Sequence, residues 1–223
     1  IQGKFDIKYV GATYKIQQNI TKRILMKEAF SIANDSKGRE IPTATFISVI
    51  SQYNQATEFD KIVIKKVIQN IYDMSIEYNI AINLSFESIS NSTFMTWLEN
   101  ILMNNIQIRS QLIFTFSSHV VSQNIDQFKI FSKFSRKNGA KVLLKRYMTK
   151  YISLETLKTL NFDYLRLSRD YTHDINTNLD KQNFVSAIQE LGTLWNIKII
   201  AENVENEEDQ RYLEKFRLYA LSK

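Results

Sequence analysis

Seven residues lie at or just after the apolar runs of this sequence and carry groups that could do chemistry. They are Glu28, Asn83, Lys145, Arg146, Arg166, Glu202 and Glu205. Carboxylate and amide oxygens are ligands for hard cations such as Mg²⁺, whereas ammonium and guanidinium groups bind phosphate groups. The residue types therefore indicate either an oxygen-ligated metal site or a site for a phosphate-bearing ligand.

The composition excludes several other chemistries. The chain has no cysteine, which removes disulfides, thiolate metal sites and cysteine nucleophiles. Its two histidines, His119 and His173, lie far apart in sequence, so a histidine-rich zinc site is not expected. The lack of cysteine fits a reducing compartment, and a cytoplasmic location is expected.

The net charge favours anionic partners in a general way. Lysine and arginine number 29 against 23 acidic residues, which gives a formal charge of +6. The basic residues are scattered over segments that read as solvated helix faces, and no nucleic-acid-binding signature accompanies them. Nucleic acid is therefore not expected as a partner.

The chain of 223 residues is 44% hydrophobic and 23% charged, which predicts a folded globular domain. No apolar stretch reaches the roughly 18 to 20 residues that span a bilayer. The sequence begins with Ile1, so we interpret it as a piece excised from a larger protein, whose remainder could include a membrane anchor.

Short apolar runs alternate with amphipathic helices seven or eight times, which favours an α/β fold of the TIM-type (β/α)₈ barrel. The predicted strands are Phe5 to Tyr9, Ile24 to Ile32, Ile80 to Leu84, Leu112 to Phe116, Val142 to Leu144, Tyr164 to Leu167 and Lys198 to Ala201. Asp60 is predicted to cap the longest helix, and Gly139 to end another. The segment from Phe216 to Leu221 gives no clear eighth strand. In such a barrel the chemistry lies at the carboxyl ends of the strands.

Several fragments, in order and at matching spacing, resemble one family. Glu28-Ala29-Phe30 resembles a signature triplet, Ile82 to Ser85 resembles an asparagine-leucine-serine strand end, and Ile200 to Glu205 is similar to an alanine-glutamate-glycine-valine-glutamate motif. Together they resemble the EAL domain, a family of cyclic di-GMP phosphodiesterases. The resemblance covers nearly the whole chain, so residues 1–223 are interpreted as a single EAL-like domain. It implies a TIM-type barrel with an antiparallel first strand.

The departures from the family pattern concern its metal site. The resemblance implies that active members hold Mg²⁺ or Mn²⁺ through the signature glutamate, the asparagine, a glutamate on the next strand and an aspartate. Glu28 and Asn83 match. The other positions carry Thr115 and Ser118 for acids, Lys145 and Arg146 for two aspartates, Arg166 for the catalytic lysine and Ser168 for a further aspartate. We therefore predict no enzyme activity, no catalytic residue, no bound metal and no cofactor.

Two functions remain open for such a chain. The first is a catalytically inactive interaction scaffold or output module, with a neighbouring domain, a partner protein or a second copy as its partner. The alternative is a non-hydrolysing receptor, in which Lys145, Arg146 and Arg166 attract the phosphates of cyclic di-GMP or a related ligand. Ile32, Met148 and Lys150 replace an arginine and two glycines expected to serve ligand binding, which weakens the receptor hypothesis.

A purely structural interpretation applies to the same residues. Glu28 is expected to form an interior ion pair with Lys145 or Arg146, which would block the metal site. Glu202 and Glu205 are expected to orient neighbouring basic groups, and no motif supports a metal-independent reaction at Lys145.

Overall fold

The computed structural model describes residues 5–16 and 23–222. Within them, nine strands form one sheet. The strands are β1 (Asp6–Lys15), β2 (Ile24–Asn34), β3 (Glu40–Ile41), β4 (Asn79–Asn83), β5 (Leu112–Ser117), β6 (Lys141–Tyr147), β7 (Tyr164–Leu167), β8 (Lys198–Ala201) and β9 (Ala220–Ser222).

Ten α-helices connect these strands in the described part of the chain. They are α1 (Thr43–Gln52), α2 (Ala56–Asp73), α3 (Phe86–Ile89), α4 (Ser92–Asn104), α5 (Ser118–Ser122), α6 (Ile125–Lys137), α7 (Leu154–Thr159), α8 (Arg169–Thr172), α9 (Leu179–Trp195) and α10 (Glu207–Lys215). Gly139 has φ +84° just after α6, and its N–H donates to the carbonyl of Arg136, as expected for a glycine that ends a helix.

Eight of the strands close into a barrel, in the order β1-β9-β8-β7-β6-β5-β4-β2 with β2 paired back to β1. Strand β1 is antiparallel to both of its neighbours, and the other seven run parallel to one another. The prediction of a TIM-type (β/α)₈ barrel with an antiparallel first strand is confirmed.

An apolar layer fills the middle of the barrel. Because strand side chains alternate between faces, every second residue points to the barrel axis. The buried cluster at the axis contains Met26, Ala81, Ile113, Leu143, Ile200 and Ala220. The residues two positions later, towards the carboxyl ends, are the polar ones at the mouth. This apolar layer, called the apolar plug below, separates the polar side chains at the mouth from the amino-terminal end of the barrel.

Three local predictions need correction. Strand β1 extends to Lys15, beyond the predicted end at Tyr9, because it pairs with β2 along most of its length and with β9 at its end. A final strand is present, since Ala220–Ser222 pairs with both β8 and β1. Asp60 does not cap α2, which begins four residues earlier at Ala56.

Asp60 instead lies inside α2 as a buried link to the strand end of β4. Its Oδ2 accepts hydrogen bonds from the N–H of Ser85 at 2.9 Å, the hydroxyl of Ser85 at 2.8 Å and the hydroxyl of Ser88 at 2.6 Å. Burial raises the pKa of Asp60 to about 6, although these donors oppose the increase. The carboxyl group therefore fastens α2 to α3 at the upper edge of the barrel.

No helix in the described ranges is both long enough and apolar enough to cross a membrane.

The raised pKa of Asp60 predicts how stability varies with pH. A carboxyl whose pKa is higher in the folded state favours folding while protonated, and this contribution is lost as pH rises from about 4 through about 6. Relative to Asp60→Asn, the wild-type free energy of unfolding should fall by about 2 to 3 kcal/mol between pH 4 and pH 7. Urea denaturation of both proteins across this range measures the difference, and a difference independent of pH would contradict the assignment.

Candidate functional site at the barrel mouth

Five polar side chains project from the carboxyl ends of neighbouring strands towards the barrel axis. They are Glu28 on β2, Asn83 on β4, Thr115 on β5, Lys145 on β6 and Arg166 on β7. On four of these strands the residue two positions earlier belongs to the apolar plug, and on β7 it is the buried Tyr164. The alternation of strand side chains therefore places residues up to 138 positions apart in sequence around one point.

Glu28 lies between two cations at this point. The guanidinium of Arg166 donates to Glu28 Oε1, and Lys145 Nζ lies 3.4 Å from Glu28 Oε2. The side chains are 14% exposed for Glu28, 16% for Lys145 and 3% for Arg166. Both carboxylate oxygens are thus engaged by buried positive charge.

The cations determine the protonation of this cluster. Burial alone would raise the pKa of Glu28, but Lys145 and Arg166 outweigh it and hold the pKa below its ordinary value. For Lys145, burial lowers the pKa; Glu28 opposes this, while Arg166 and Arg146 add to it. Glu28 is therefore a fixed negative charge at neutral pH, held by its two partners.

The side-chain oxygen of Asn83 is also engaged in hydrogen bonds. Its Oδ1 accepts hydrogen bonds from Lys145 Nζ at 2.6 Å and from the Thr115 hydroxyl at 2.7 Å. The resemblance implies a glutamate at the position of Thr115. The Thr115 hydroxyl instead donates to Asn83 and does not take the place of a metal-ligating carboxylate. One hydrogen-bonded network links Glu28, Asn83, Thr115, Lys145 and Arg166.

The residues present do not fit the divalent metal ions that the family pattern implies. Such ions need several oxygen ligands, and the carboxylate of Glu28 and the amide oxygen of Asn83 already accept from cations or hydroxyls. The described ranges contain no group of three or more His, Cys, Asp or Glu side chains placed to hold a metal.

Arg146 departs from the regular strand. Its φ is +53°, and the pairing of β6 with β7 shifts register between Leu144 and Tyr147. The buried Ser118 hydroxyl donates to the Arg146 carbonyl at 2.6 Å and holds this bulge in place. The Arg146 side chain is 71% exposed and lies 3.9 Å from Glu202, so the expected alternative of a Glu28–Arg146 pair is wrong and Arg166 is the second partner of Glu28.

Two cavities meet at Arg146. The first, of about 480 Å³, lies between α1, α2 and the ends of β2 and β4, and its lining includes Ile47, Phe59, Asp60 and Asn83. The second, of about 380 Å³, lies over β7, β8 and β9, and its lining includes Glu28, Arg166, Glu202 and Asn203. Arg146 lines both, so its guanidinium stands between a largely apolar recess and a polar one.

The two remaining candidate acids occupy different places. Glu202 lines the second cavity, where burial raises the pKa of its carboxyl against the opposing effects of Arg166 and Arg146. Glu205 lies outside the cavity lining at 59% exposure, and its carboxylate lies 3.1 Å from Arg169. The site therefore brings together six of the seven sequence candidates and leaves Glu205 at the rim.

Some residues of the mouth were not among the sequence candidates. Arg169 and Asn203 line the second cavity, as does Gly11 from the antiparallel strand β1. Asn203 has φ +53° and stands where the family motif has glycine. This departure from the motif could have marked Asn203 as a residue of the mouth. The apolar residues of the first cavity gave no such signal, because Ile47 and Phe59 read as ordinary helix-face residues.

Breaking the ion cluster should destabilise the fold. Arg166→Met is expected to lower the free energy of unfolding by about 2 to 4 kcal/mol, because the buried charge of Glu28 loses its closest partner. The triple variant Glu28→Gln, Lys145→Met and Arg166→Met should recover most of this loss, since no unpaired charge remains. Chemical denaturation at pH 7 measures both.

The matched control is Arg169→Met, which removes the exposed pair with Glu205 and should cost less than about 1 kcal/mol. Equal losses for Arg166→Met and Arg169→Met, or a triple variant no more stable than Arg166→Met, would contradict the role given to the cluster.

Comparisons with known proteins agree with this fold. The cyclic di-GMP phosphodiesterase PdeA of Borreliella burgdorferi is 24% identical over 212 residues, which cover 93% of this chain and 31% of PdeA. The FimX EAL domain from Pseudomonas aeruginosa, solved bound to c-di-GMP, superposes with a TM-score of 0.85 at 15% identity, covering 98% of this chain and 88% of that one. Vibrio cholerae LapD, as an apo S helix-GGDEF-EAL structure, gives a TM-score of 0.83 at 21% identity, covering 98% of this chain and 52% of that one.

The present chain thus spans about a third of PdeA and about half of the LapD structure. The family described as EAL domain matches residues 11–221, nearly all of the sequence. This chain belongs to the EAL domain family.

Proposed function

We propose that this EAL domain binds cyclic di-GMP, or a closely related cyclic dinucleotide, at the barrel mouth without hydrolysing it. The observation that carries the proposal is the engagement of Glu28 and Asn83 by Lys145 and Arg166, combined with two cavities that meet at Arg146. We further propose that the domain serves a longer signalling protein, in keeping with the small share of PdeA that the chain spans.

The loss of hydrolysis follows from electrostatics. Metal-assisted cleavage of a phosphodiester needs a divalent cation to generate hydroxide and neutralise the developing charge. An ammonium group about 5 Å from such an ion costs roughly 7 kcal/mol at an effective dielectric of 20. Lys145 Nζ sits 2.6 Å from the Asn83 oxygen that would be a ligand, so a metal would have to displace it.

Ligand binding is supported by the shape and charge of the mouth. A cyclic dinucleotide has two bases joined by an anionic ring of two phosphodiesters. The cavities of about 480 and 380 Å³ offer two recesses, and the exposed Arg146 guanidinium between them offers a charge-assisted contact for phosphate. The FimX EAL domain, which shares this fold, was solved with c-di-GMP bound.

The competing function is an interaction scaffold with no nucleotide ligand. In that case the barrel mouth binds no ligand, and its ion cluster only stabilises the fold. Titration with the dinucleotide separates the two functions.

The first prediction of this proposal concerns catalysis. Purified protein incubated with cyclic di-GMP and excess Mg²⁺ or Mn²⁺ should yield no linear dinucleotide, because the metal ligands are engaged. Chromatography of the nucleotides measures the product, with an active EAL phosphodiesterase assayed alongside as the positive control. Turnover that depends on the added metal would overturn the proposal.

The second prediction concerns binding. Calorimetric titration with cyclic di-GMP should give saturable binding at low micromolar concentrations or below, and Arg146→Ala should weaken it at least about tenfold through loss of a charge-assisted hydrogen bond. The matched control is Arg211→Ala on α10, which removes an exposed arginine far from both cavities and should leave the affinity unchanged. Absence of binding by the wild type would favour the scaffold, and equal affinities in the two variants would exclude Arg146 as a ligand contact.

A further inference from the structure

A second charged layer lies at the opposite end of the barrel. Lys141 is the first residue of β6 and Lys198 the first of β8, while Lys15 is the last residue of the antiparallel β1 and pairs with Ala220 at the start of β9. By the alternation of strand side chains, Lys141 and Lys198 point to the same side as the plug residues Leu143 and Ile200. Three lysines therefore converge below the apolar plug.

Tyrosine rings fix the positions of these lysines. Lys15 Nζ lies 5.3 Å and Lys198 Nζ 4.9 Å from the centroid of the same Tyr219 ring, and Lys198 Nζ is also 5.4 Å from that of Tyr164. Lys141 Nζ donates to Asn79 Oδ1 at 3.3 Å. The ammonium groups of Lys15 and Lys198 are thus gathered around two rings whose centroids are 6.0 Å apart, and Lys141 is held separately by Asn79.

Among residues 5–16 and 23–222, the positive charge of this cluster is poorly compensated. The carboxylate that acts on Lys141 is Asp163, whose Oδ1 lies 3.3 Å from Arg136 Nε and whose Oδ2 accepts from the Val142 N–H at 2.8 Å. Burial lowers the pKa of Lys141, and the neighbouring charges of Lys198 and Lys15 lower it further against the effect of Asp163.

A cavity of about 230 Å³ opens beside the cluster. Its lining includes Lys198, Arg217, Tyr219, Thr193 and Gln189. Arg217 thus adds a second cation to Lys198 at a recess large enough for a phosphate group.

We infer that this amino-terminal end of the barrel, formed by Lys15, Lys141, Lys198 and Arg217, binds a small molecule through a multiply charged phosphate group. Like charges held together in a half-buried site repel one another, and an anion with several oxygens relieves this repulsion while accepting from each ammonium group. The cavity of about 230 Å³ lined by Lys198 and Arg217 has room for a small anion, and Lys15 approaches the same Tyr219 ring that lines it. The phosphate is either free, as in a small polyphosphate, or carried on a nucleoside.

The test uses the full chain with inorganic pyrophosphate and with ADP as separate probes, at an ionic strength held constant with sodium chloride. Saturable binding of at least one probe is expected. It should raise Tm by about 5 to 10 °C at about one hundred times its Kd. Binding of pyrophosphate indicates a free phosphate ligand, and binding of ADP alone indicates a nucleotide; both outcomes support the site.

Variants give the test its specificity. Lys141→Met and Lys198→Met should each weaken probe binding at least about tenfold. Lys141→Met should at the same time raise the Tm of the protein without probe, because it removes a repelled, half-buried charge. Lys133→Met, an exposed lysine on α6, is the matched control and should change neither quantity.

Arg146→Ala separates this site from the barrel mouth and should leave probe binding intact. The inference is overturned if neither probe binds saturably, if the lysine variants bind as tightly as the wild type, or if Arg146→Ala abolishes binding.

Discussion

The mouth of this barrel depends on one carboxylate held between two cations. Glu28 is mostly buried, and its two oxygens face Arg166 and Lys145. A buried charge without a partner costs several kcal/mol, so none of the three side chains is independent of the others. Glu28 therefore acts here as a counter-ion. In this structure both oxygens of the signature glutamate of the EAL family face cations, whereas the family pattern implies that they ligate a metal.

The apolar plug separates this balanced cluster from the unbalanced one at the other end. Along the barrel axis, β6 presents Lys141, then Leu143, then Lys145, and β8 presents Lys198, Ile200 and Glu202. The same two-residue repeat thus produces a lysine layer, an apolar layer and a mixed-charge layer. At the mouth, acidic residues offset the cations, whereas at the amino-terminal end Asp163 is already engaged with Arg136. The two ends of the barrel therefore differ less in their number of cations than in how far acidic residues offset the positive charge.

The sequence predicted what local periodicity and ordered motifs determine, and it did not predict contacts that barrel closure creates. The fold class and most strand positions followed from apolar runs, and the Glu28–Lys145 contact was anticipated because both residues follow strands. Arg166 was not anticipated as the closest partner of Glu28, and the lysine layer was not anticipated at all, since Lys15, Lys141 and Lys198 meet through the closure of the sheet. Asp60 was mistaken for a helix cap because an acidic residue precedes an apolar stripe, while its actual partners, Ser85 and Ser88, belong to another element.

The proposed loss of the metal site would not by itself remove the attraction for a phosphodiester. In metal-dependent cleavage the divalent ion neutralises phosphate charge and activates water, and these two tasks can be separated. At this mouth the first task can pass to Arg146, whose guanidinium is 71% exposed and is held loosely, 3.9 Å from Glu202. Burial raises the pKa of Glu202, and the charges of Arg166 and Arg146 oppose this effect. For the second task, Lys145 and Arg166 engage the oxygens of Glu28 and Asn83 that would position a metal-bound water. The proposed function therefore keeps the first of these tasks and gives up the second.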